Sequence, residues 1–538
     1  MLARFDSESS KAYRLLLVLA VVFAIVLRIT GMVDKRTINH DESISYLAAT
    51  CHQGEYSNVV MEGLSPFGTW AKASDWKKLI QPEGLFCFEK IGLDLAHYDV
   101  HPPLYFWILH LWSVVFGVNS WTGPSLNIVI ALATLYFLYR FAYNNLANSE
   151  EAVVVALTWA LSPAAIAISL EARQYDLLTL IALIFVWQVM KCVELSRQFR
   201  LKDAATLSIL AAAGALTHFN FSLLSMGCCI FLMAKLIKKN PGRLMAAFVG
   251  IGAGYLLFVF AHPKFYESII LLREYIRDPF TFLDFVDRMK RVGITLSDFF
   301  LPWHSLILIS GFALLFLVIG AWVGLISFRQ PGRLRHFLGV PGDKDLSVLF
   351  FFFWIYGITS MLYLAFLSPA HAMGPKYLSM AWPFFGFIPV FLLRSFGIKR
   401  HILTFLFCSG MLLSGSAGVL HTIYQNNSNQ DWAELLTNSD RIIIDNNARG
   451  VLLPIVWQIP DDKIVFAATQ DYLLDHQNMW IDQLDGTVYV SVVYYDSTLE
   501  HQQDIVSIIN QSHQAILLLD EGGSWGVGRV FVIRPEGY

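Results

Sequence analysis

Two adjacent carboxylates, Asp41 and Glu42, sit in the stretch Asn39-His40-Asp41-Glu42-Ser43-Ile44-Ser45-Tyr46, just past the first apolar run of the chain. Ionised side chains beside a lipid bilayer are costly, so a paired acid there points to a use. A carboxylate at the membrane surface suits proton removal from a hydroxyl, the work of a general base. The two acids need not share that work. Asn39 can cap a helix that begins at Asp41, with Glu42 at the third position closing a capping-box-like pair. That reading accounts for Glu42 and leaves Asp41 for chemistry.

Other ionisable residues recur beside apolar runs, each with a structural reading next to the functional one. Arg28 either snorkels to headgroups or binds an anion. Asp99 and His101 precede Pro102-Pro103, where an acid near a helix start is favourable for dipole reasons alone. In Glu171-Ala172-Arg173-Gln174-Tyr175-Asp176 the charges either solvate a tight turn between spans or form a site. His218 is either a turn residue of a short hairpin or a site residue. Lys376-Tyr377 opens a span, where such pairs are ordinary interfacial anchors.

The elements that must position these groups are membrane spans. Of 538 residues, 55% are apolar and only 15% charged, with mean hydropathy +0.51, against about a quarter charged in soluble domains. A net charge of −3 gives no sign of nucleic-acid binding. Runs near 20 apolar residues occur at 13–33, 121–141, 152–170, 175–193, 203–220, 221–238, 243–262, 305–327, 347–368, 377–394 and 400–421. A shorter run, 103–118, decides the sidedness of everything after it. Arg4, Lys11 and Arg14 put the N-terminus in the cytoplasm. If 103–118 does not cross, the basic clusters at Lys191–Lys202, Lys235–Arg243, Arg329–Arg335 and Arg394–Arg400 also fall inside, as the positive-inside rule requires. The expectation is therefore a mainly α, polytopic membrane protein with about eleven transmembrane helices and interfacial helices in the first outer loop. The first run lacks a cleavage site and reads as a retained span.

Residues 1–424 form the expected membrane domain, with outer loops at 34–101 and 263–304. From 425 to 538 the runs Arg441–Asp445, Ile464–Ala468, Thr487–Tyr494, Ala515–Leu519 and Arg529–Ile533, with helical stretches near Trp432–Leu436 and His501–Ile509, read as a soluble α/β domain on the outer face. Cys51 and Cys87 share the first loop, where a disulfide and two free thiols are both open. On this sidedness the ionisable residues gather at the outer ends of the spans. A transporter would place polar groups near the midplane, accessible from both sides. A one-sided site favours an enzyme over the alternatives, a lipid or sugar transporter or flippase, a surface-polysaccharide polymerase or ligase, and an assembly factor.

Taken together, the motifs resemble one family. His40-Asp41-Glu42 looks like the Asp-Glu motif of GT-C-type glycosyltransferases in the protein O-mannosyltransferase and aminoarabinose-transferase group. Asp99-Val100-His101-Pro102-Pro103-Leu104 is similar to the group's His-Pro-Pro-Leu segment, and Glu171–Leu178 to its Arg-x-Tyr stretch. Lys376-Tyr377-Leu378 resembles a late Arg-Tyr-Leu motif, with Lys for Arg, and Asp431-Trp432 an Asp-Trp that opens the outer domain. The likeness is clearest over 1–240. It implies a polyprenyl-phosphate sugar donor and a lipid, glycan or protein acceptor, used by a multi-pass protein of the plasma membrane, a bacterial inner membrane being the natural setting. It implies Asp41, with Glu42 and Asp176, as catalytic acids, and Arg173, Lys376 and Arg28 as donor-phosphate ligands. Tyr46, Asp99, His101, Tyr175, His218 and Tyr377 would line the substrate pocket. No cofactor is certain; a divalent cation, if used, would fall to Glu42, Asp99 and His101, with His218 in reserve.

Overall fold

The computed structural model describes residues 2–146, 148–275, 290–291, 293–295, 297–301, 375–394, 400–428, 437, 439, 441–445, 452–484, 488–493, 499–520 and 527–535. The expected spans 305–327 and 347–368, the helix near Trp432–Leu436 and the Asp431-Trp432 motif lie outside these residues. The chain divides into two compact units.

The first unit comprises 1–32, 100–105 and 124–422 and is helical. Among the described residues, four helices are long and apolar enough to cross a membrane: α7 (Thr122–Leu146), α10 (Tyr175–Val193), α13 (Pro241–Ala261) and the stretch Ile402–Tyr424. The expected straight span at 152–170 is instead a pair, α8 (Ser149–Ala160) and α9 (Pro163–Ser169), bent by 58°. The cause is local: Ser162 caps α9 through the Ala165 amide, and Pro163 occupies the first turn, where its missing N–H is harmless. Arg28 of α1 (Leu2–Asp34) occupies the break. It is buried and donates to the Ala160 carbonyl at 2.6 Å, a carbonyl near the end of α8.

Helices α11 (Leu201–Thr217) and α13 pack closely because Gly250 and Gly254 remove side chains from their interface. A Cβ on Gly250 would stand 2.7 Å from the Ala204 carbonyl oxygen, the close approach that small residues four apart permit. Arg394 pairs with buried Glu151 through two hydrogen bonds, tying the late helix Phe387–Arg394 to α8.

The second unit comprises 33–99, 106–123 and 423–538. This unit resumes at Ile423, next to the expected boundary at 424, and takes in the first loop as well. The physical reason is strand pairing. β1 (Trp70–Lys72) adds antiparallel to β3 (Ile464–Ala468), with Trp70 opposite Phe466. The sheet order is β1-β3-β2-β4-β6-β5, with β2 (Arg441–Asp445), β4 (Val488–Val493), β5 (His513–Asp520) and β6 (Val527–Pro535). β3, β2 and β4 are parallel, and Ile442, Ile443, Ile444, Val465 and Phe466 are fully buried, as a parallel core covered on both faces requires. Lys77 of α4 (Ala73–Lys78) donates to the Ile459 carbonyl at 2.6 Å and pairs with Asp461 at 2.7 Å. Trp457 donates to the Arg36 carbonyl at 3.3 Å.

The run expected not to cross forms α6 (Leu104–Phe116), 13 residues, about 20 Å at 1.5 Å per residue against a hydrocarbon core of about 30 Å. From Phe106 onward it packs within the loop-bearing unit.

Candidate active site

In the loop-bearing unit, α2 (His40–Ala49) begins one residue earlier than expected. Asn39 Oδ1 accepts from the Glu42 amide at 2.8 Å, and Glu42 Oε2 accepts from the Asn39 amide at 2.9 Å, a complete capping box. Glu42 is fully buried and also pairs with Lys35 at 2.9 Å. Asp41 differs. Its side chain keeps 26% exposure, with the His40 ring at 3.5 Å. Tyr46, expected in the substrate pocket, is fully buried. Its hydroxyl donates to Asn119 O at 3.1 Å and accepts from the Gly123 amide at 2.9 Å, which pins α2 to the α6–α7 connection. Asp99 follows α5 (Phe88–Tyr98) as its C-cap.

The first unit brings together six of the expected residues. Arg173 Nη2 lies 3.2 Å from His101 Nε2; a guanidinium can only donate, so His101 accepts there. The His101 and His218 rings are 5.8 Å apart, and His218 is 5.8 Å from Tyr175. Tyr175 meets Tyr377 at 6.1 Å, and Lys376 Nζ stands 6.0 Å and 5.9 Å from these two rings. His218 Nδ1 accepts from the Asn220 amide at 3.1 Å, leaving Nε2 to carry the proton.

Local structure fixes each member. Asn127 of α7 donates to the Glu171 and Arg173 carbonyls and so holds the turn that presents Arg173. Lys376 and Tyr377 lie in a single 3₁₀ turn, Pro375–Leu378. Thr179 of α10 donates to the Ser379 carbonyl at 3.1 Å and ties that turn to the helix bearing Tyr175. The arrangement is a cationic and aromatic cluster, suited to an anionic phosphate with an apolar or sugar-like neighbour.

Two expected residues lie in a different network. Arg28 Nε donates to Ser169 Oγ at 3.2 Å, and Ser169 also hydrogen-bonds Asp176, which is buried. These contacts knit α1, α9 and α10 together.

Sequence reasoning missed Gln174. It is fully buried, and among the described residues neither its amide oxygen nor its nitrogen has a partner. It lies directly between Arg173 and Tyr175, so its place in the motif was the available signal. Also missed was His110 of α6, which with Cys51 and Cys87 forms a group of ligand atoms all within 4.8 Å. Cys51 and Cys87 are joined as a disulfide.

With this geometry in view, residues 100–262 match the family described as dolichyl-phosphate-mannose-protein mannosyltransferase. The fold is similar to ArnT from Cupriavidus metallidurans bound to undecaprenyl phosphate, with TM-score 0.51, 11% identity and coverage of 96% of this chain and 97% of that one. The same protein in its apo state gives TM-score 0.51 at 12% identity, covering 97% and 98%. An oligosaccharyltransferase from Archaeoglobus fulgidus, in complex with zinc and sulfate, gives TM-score 0.47 at 10% identity, covering 95% and 72%. No curated protein matches significantly in sequence. The family match over residues 100–262 and the ArnT-like fold bear out the resemblance to GT-C-type glycosyltransferases.

Proposed function

We propose that the protein is an inverting glycosyltransferase that moves a sugar from a polyprenyl-phosphate donor to a hydroxyl of a lipid, glycan or protein acceptor on the outer face of the membrane. The observation that carries the reading is the division of labour in the acidic pair. Glu42 is committed to the capping box and to Lys35, whereas Asp41 keeps access to solvent. Asp41 takes the proton of the acceptor hydroxyl as its oxygen bonds to the anomeric carbon. The bond from that carbon to the donor phosphate breaks on the opposite face, so configuration inverts.

The leaving group departs as an anion and needs positive charge rather than a proton. One base and a cationic clamp therefore suffice, unlike the two carboxylates of glycoside hydrolases. Arg173 and Lys376 supply the clamp, and His101, Tyr175, His218 and Tyr377 shape the surroundings of the phosphate and sugar. Glu42 Oε2 already serves both Asn39 and Lys35; no step is routed through a divalent cation. Arg28 and Asp176 support the helices that carry Arg173 rather than touching the donor. The ArnT structure with undecaprenyl phosphate supports a polyprenyl carrier here, and the basic inner loops support a cytoplasmic N-terminus with the loop and carboxyl-terminal domain outside.

The test is consumption of radiolabelled polyprenyl-phosphate sugar by detergent-solubilised protein with no membrane gradient. Release of free polyprenyl phosphate together with a glycosylated acceptor is expected, and its loss in Asp41→Asn. A protein that only translocates the donor would leave it chemically intact.

A further inference from the structure

His110 lies fully buried on α6 with both ring nitrogens facing carbonyl oxygens, Nδ1 at 2.7 Å from Ala49 O and Nε2 at 3.1 Å from Leu85 O. A neutral imidazole has one N–H and can satisfy one of them. The shorter contact takes the proton, so Nε2 presents its lone pair towards an oxygen that cannot donate. Cys87 Sγ is 3.8 Å from both ring nitrogens. Metal-binding histidines commonly present this pattern, one nitrogen donating to a backbone carbonyl and the other held for the ion.

We propose that the Cys51–Cys87 disulfide masks a site for a thiophilic divalent cation such as zinc, formed on reduction by the sulfurs of Cys51 and Cys87 and Nε2 of His110. The spacing suits it. Zinc binds sulfur at about 2.3 Å and imidazole nitrogen at about 2.0–2.1 Å in tetrahedral array. Two such ligands therefore stand about 3.5–3.8 Å apart, close to the observed sulfur–nitrogen separation. The sulfurs part from a bonded distance of about 2 Å to about 3.8 Å, the imidazole turns, because Cys87 Sγ is 3.8 Å from both ring nitrogens, and the ion displaces the Leu85 carbonyl from Nε2.

The chemistry balances with a dithiol as reductant. Two electrons and two protons pass from the dithiol, which becomes a disulfide, and Cys51 and Cys87 become thiols. Binding of the cation then releases both thiol protons, while His110 donates its lone pair; a water fills the fourth position. The segment that carries Cys87 is reachable, since Leu85 and Phe86 are 63% and 78% exposed. The disulfide ties Cys51, just past the end of α2, to Cys87 at the start of α5, and the metal would hold the same two residues while adding His110 of α6. The loop thus stays stapled in both redox states.

The experiment uses the whole chain in detergent with Cys192, Cys228, Cys229 and Cys408 replaced by alanine, so that no other thiol is present. After reduction with a phosphine and its removal, cobalt(II) is the probe. One cobalt per chain is expected, with sulfur-to-cobalt charge-transfer and tetrahedral d–d absorption, displaced by zinc and absent before reduction. His110→Gln, which can still donate to a carbonyl, is expected to weaken cobalt binding at least about tenfold, and Cys87→Ala to abolish the charge-transfer band. Reduced protein without that band, or a band unchanged in His110→Gln, would overturn the proposal. If Cys87→Ala does not fold, the His110→Gln comparison decides alone.

Discussion

Lys35 Nζ stands 2.9 Å from Glu42 Oε2, with both side chains buried. Removing one partner of such a pair strands the other, which costs about 3–5 kcal/mol, and the capping box falls with it. Glu42→Ala is therefore expected to act first on stability, lowering the unfolding midpoint and the yield of folded protein. Asp41→Asn is expected to fold normally and to lose transfer by roughly 100- to 10,000-fold, the range of a lost general base. Thermal unfolding and donor turnover measured on the same samples separate the two. Near-normal turnover in Asp41→Asn would remove the base assignment.

Arg173 and Lys376 are expected to act on the donor. Charge-assisted hydrogen bonds are worth about 1.5–3 kcal/mol, so Arg173→Ala or Lys376→Ala should weaken polyprenyl-phosphate binding about 10- to 100-fold. Acceptor KM should move less. Arg173→Lys keeps the charge and loses the fork, and should recover only part of the affinity. Binding of labelled polyprenyl phosphate to each variant is the measurement; unchanged affinity in both alanine variants would defeat the clamp.

Gln174 separates stability from function in the opposite sense. Its buried amide has no partner among the described residues, a penalty of about 1–3 kcal/mol in the empty protein. Gln174→Leu should therefore raise the unfolding midpoint while lowering transfer, because a bound ligand loses the amide. A variant that is less stable and fully active would show that the amide serves packing alone.

Asp445 ends β2, fully buried, with neither carboxylate oxygen partnered among the described residues. Burial, with repulsion from Asp471 added, pushes its carboxyl from 3.8 up to about 7. The folded state then holds the proton more tightly than the unfolded chain. Stability contributed by the protonated group is full below the unfolded value of 3.8 and is lost as pH rises towards 7. Asp445→Asn should flatten this dependence and be more stable than the parent above neutrality, as read from unfolding midpoints across the range. Equal slopes in the two proteins would refute it.

Much of the site was legible because its chemistry is written in local motifs. Asn39 and Glu42 stand three apart, so the capping box and the special status of Asp41 follow from helix geometry alone. The shortness of the apolar run at 103–118 likewise foretold α6. The long-range partners were not legible. Trp70–Lys72 is three residues in a polar loop, too brief for alternation to announce a strand. The bend between α8 and α9 hid inside a continuous apolar stretch, where Ser162-Pro163 was the one available sign. Arg28 and Asp176 take their site roles from the resemblance, and no local motif announces that Arg28 reaches Ser169 and the Ala160 carbonyl more than a hundred residues away.

The pairing of Trp70 with Phe466 also sets an order of assembly. A ribosome delivers β1 long before β3, so the nascent first loop has no sheet to join while most of the spans are being inserted. The strand Trp70–Lys72 can then pair only after the carboxyl-terminal strands emerge. A chain interrupted before that point would hold every acid and base of the proposed site without the scaffold of its loop.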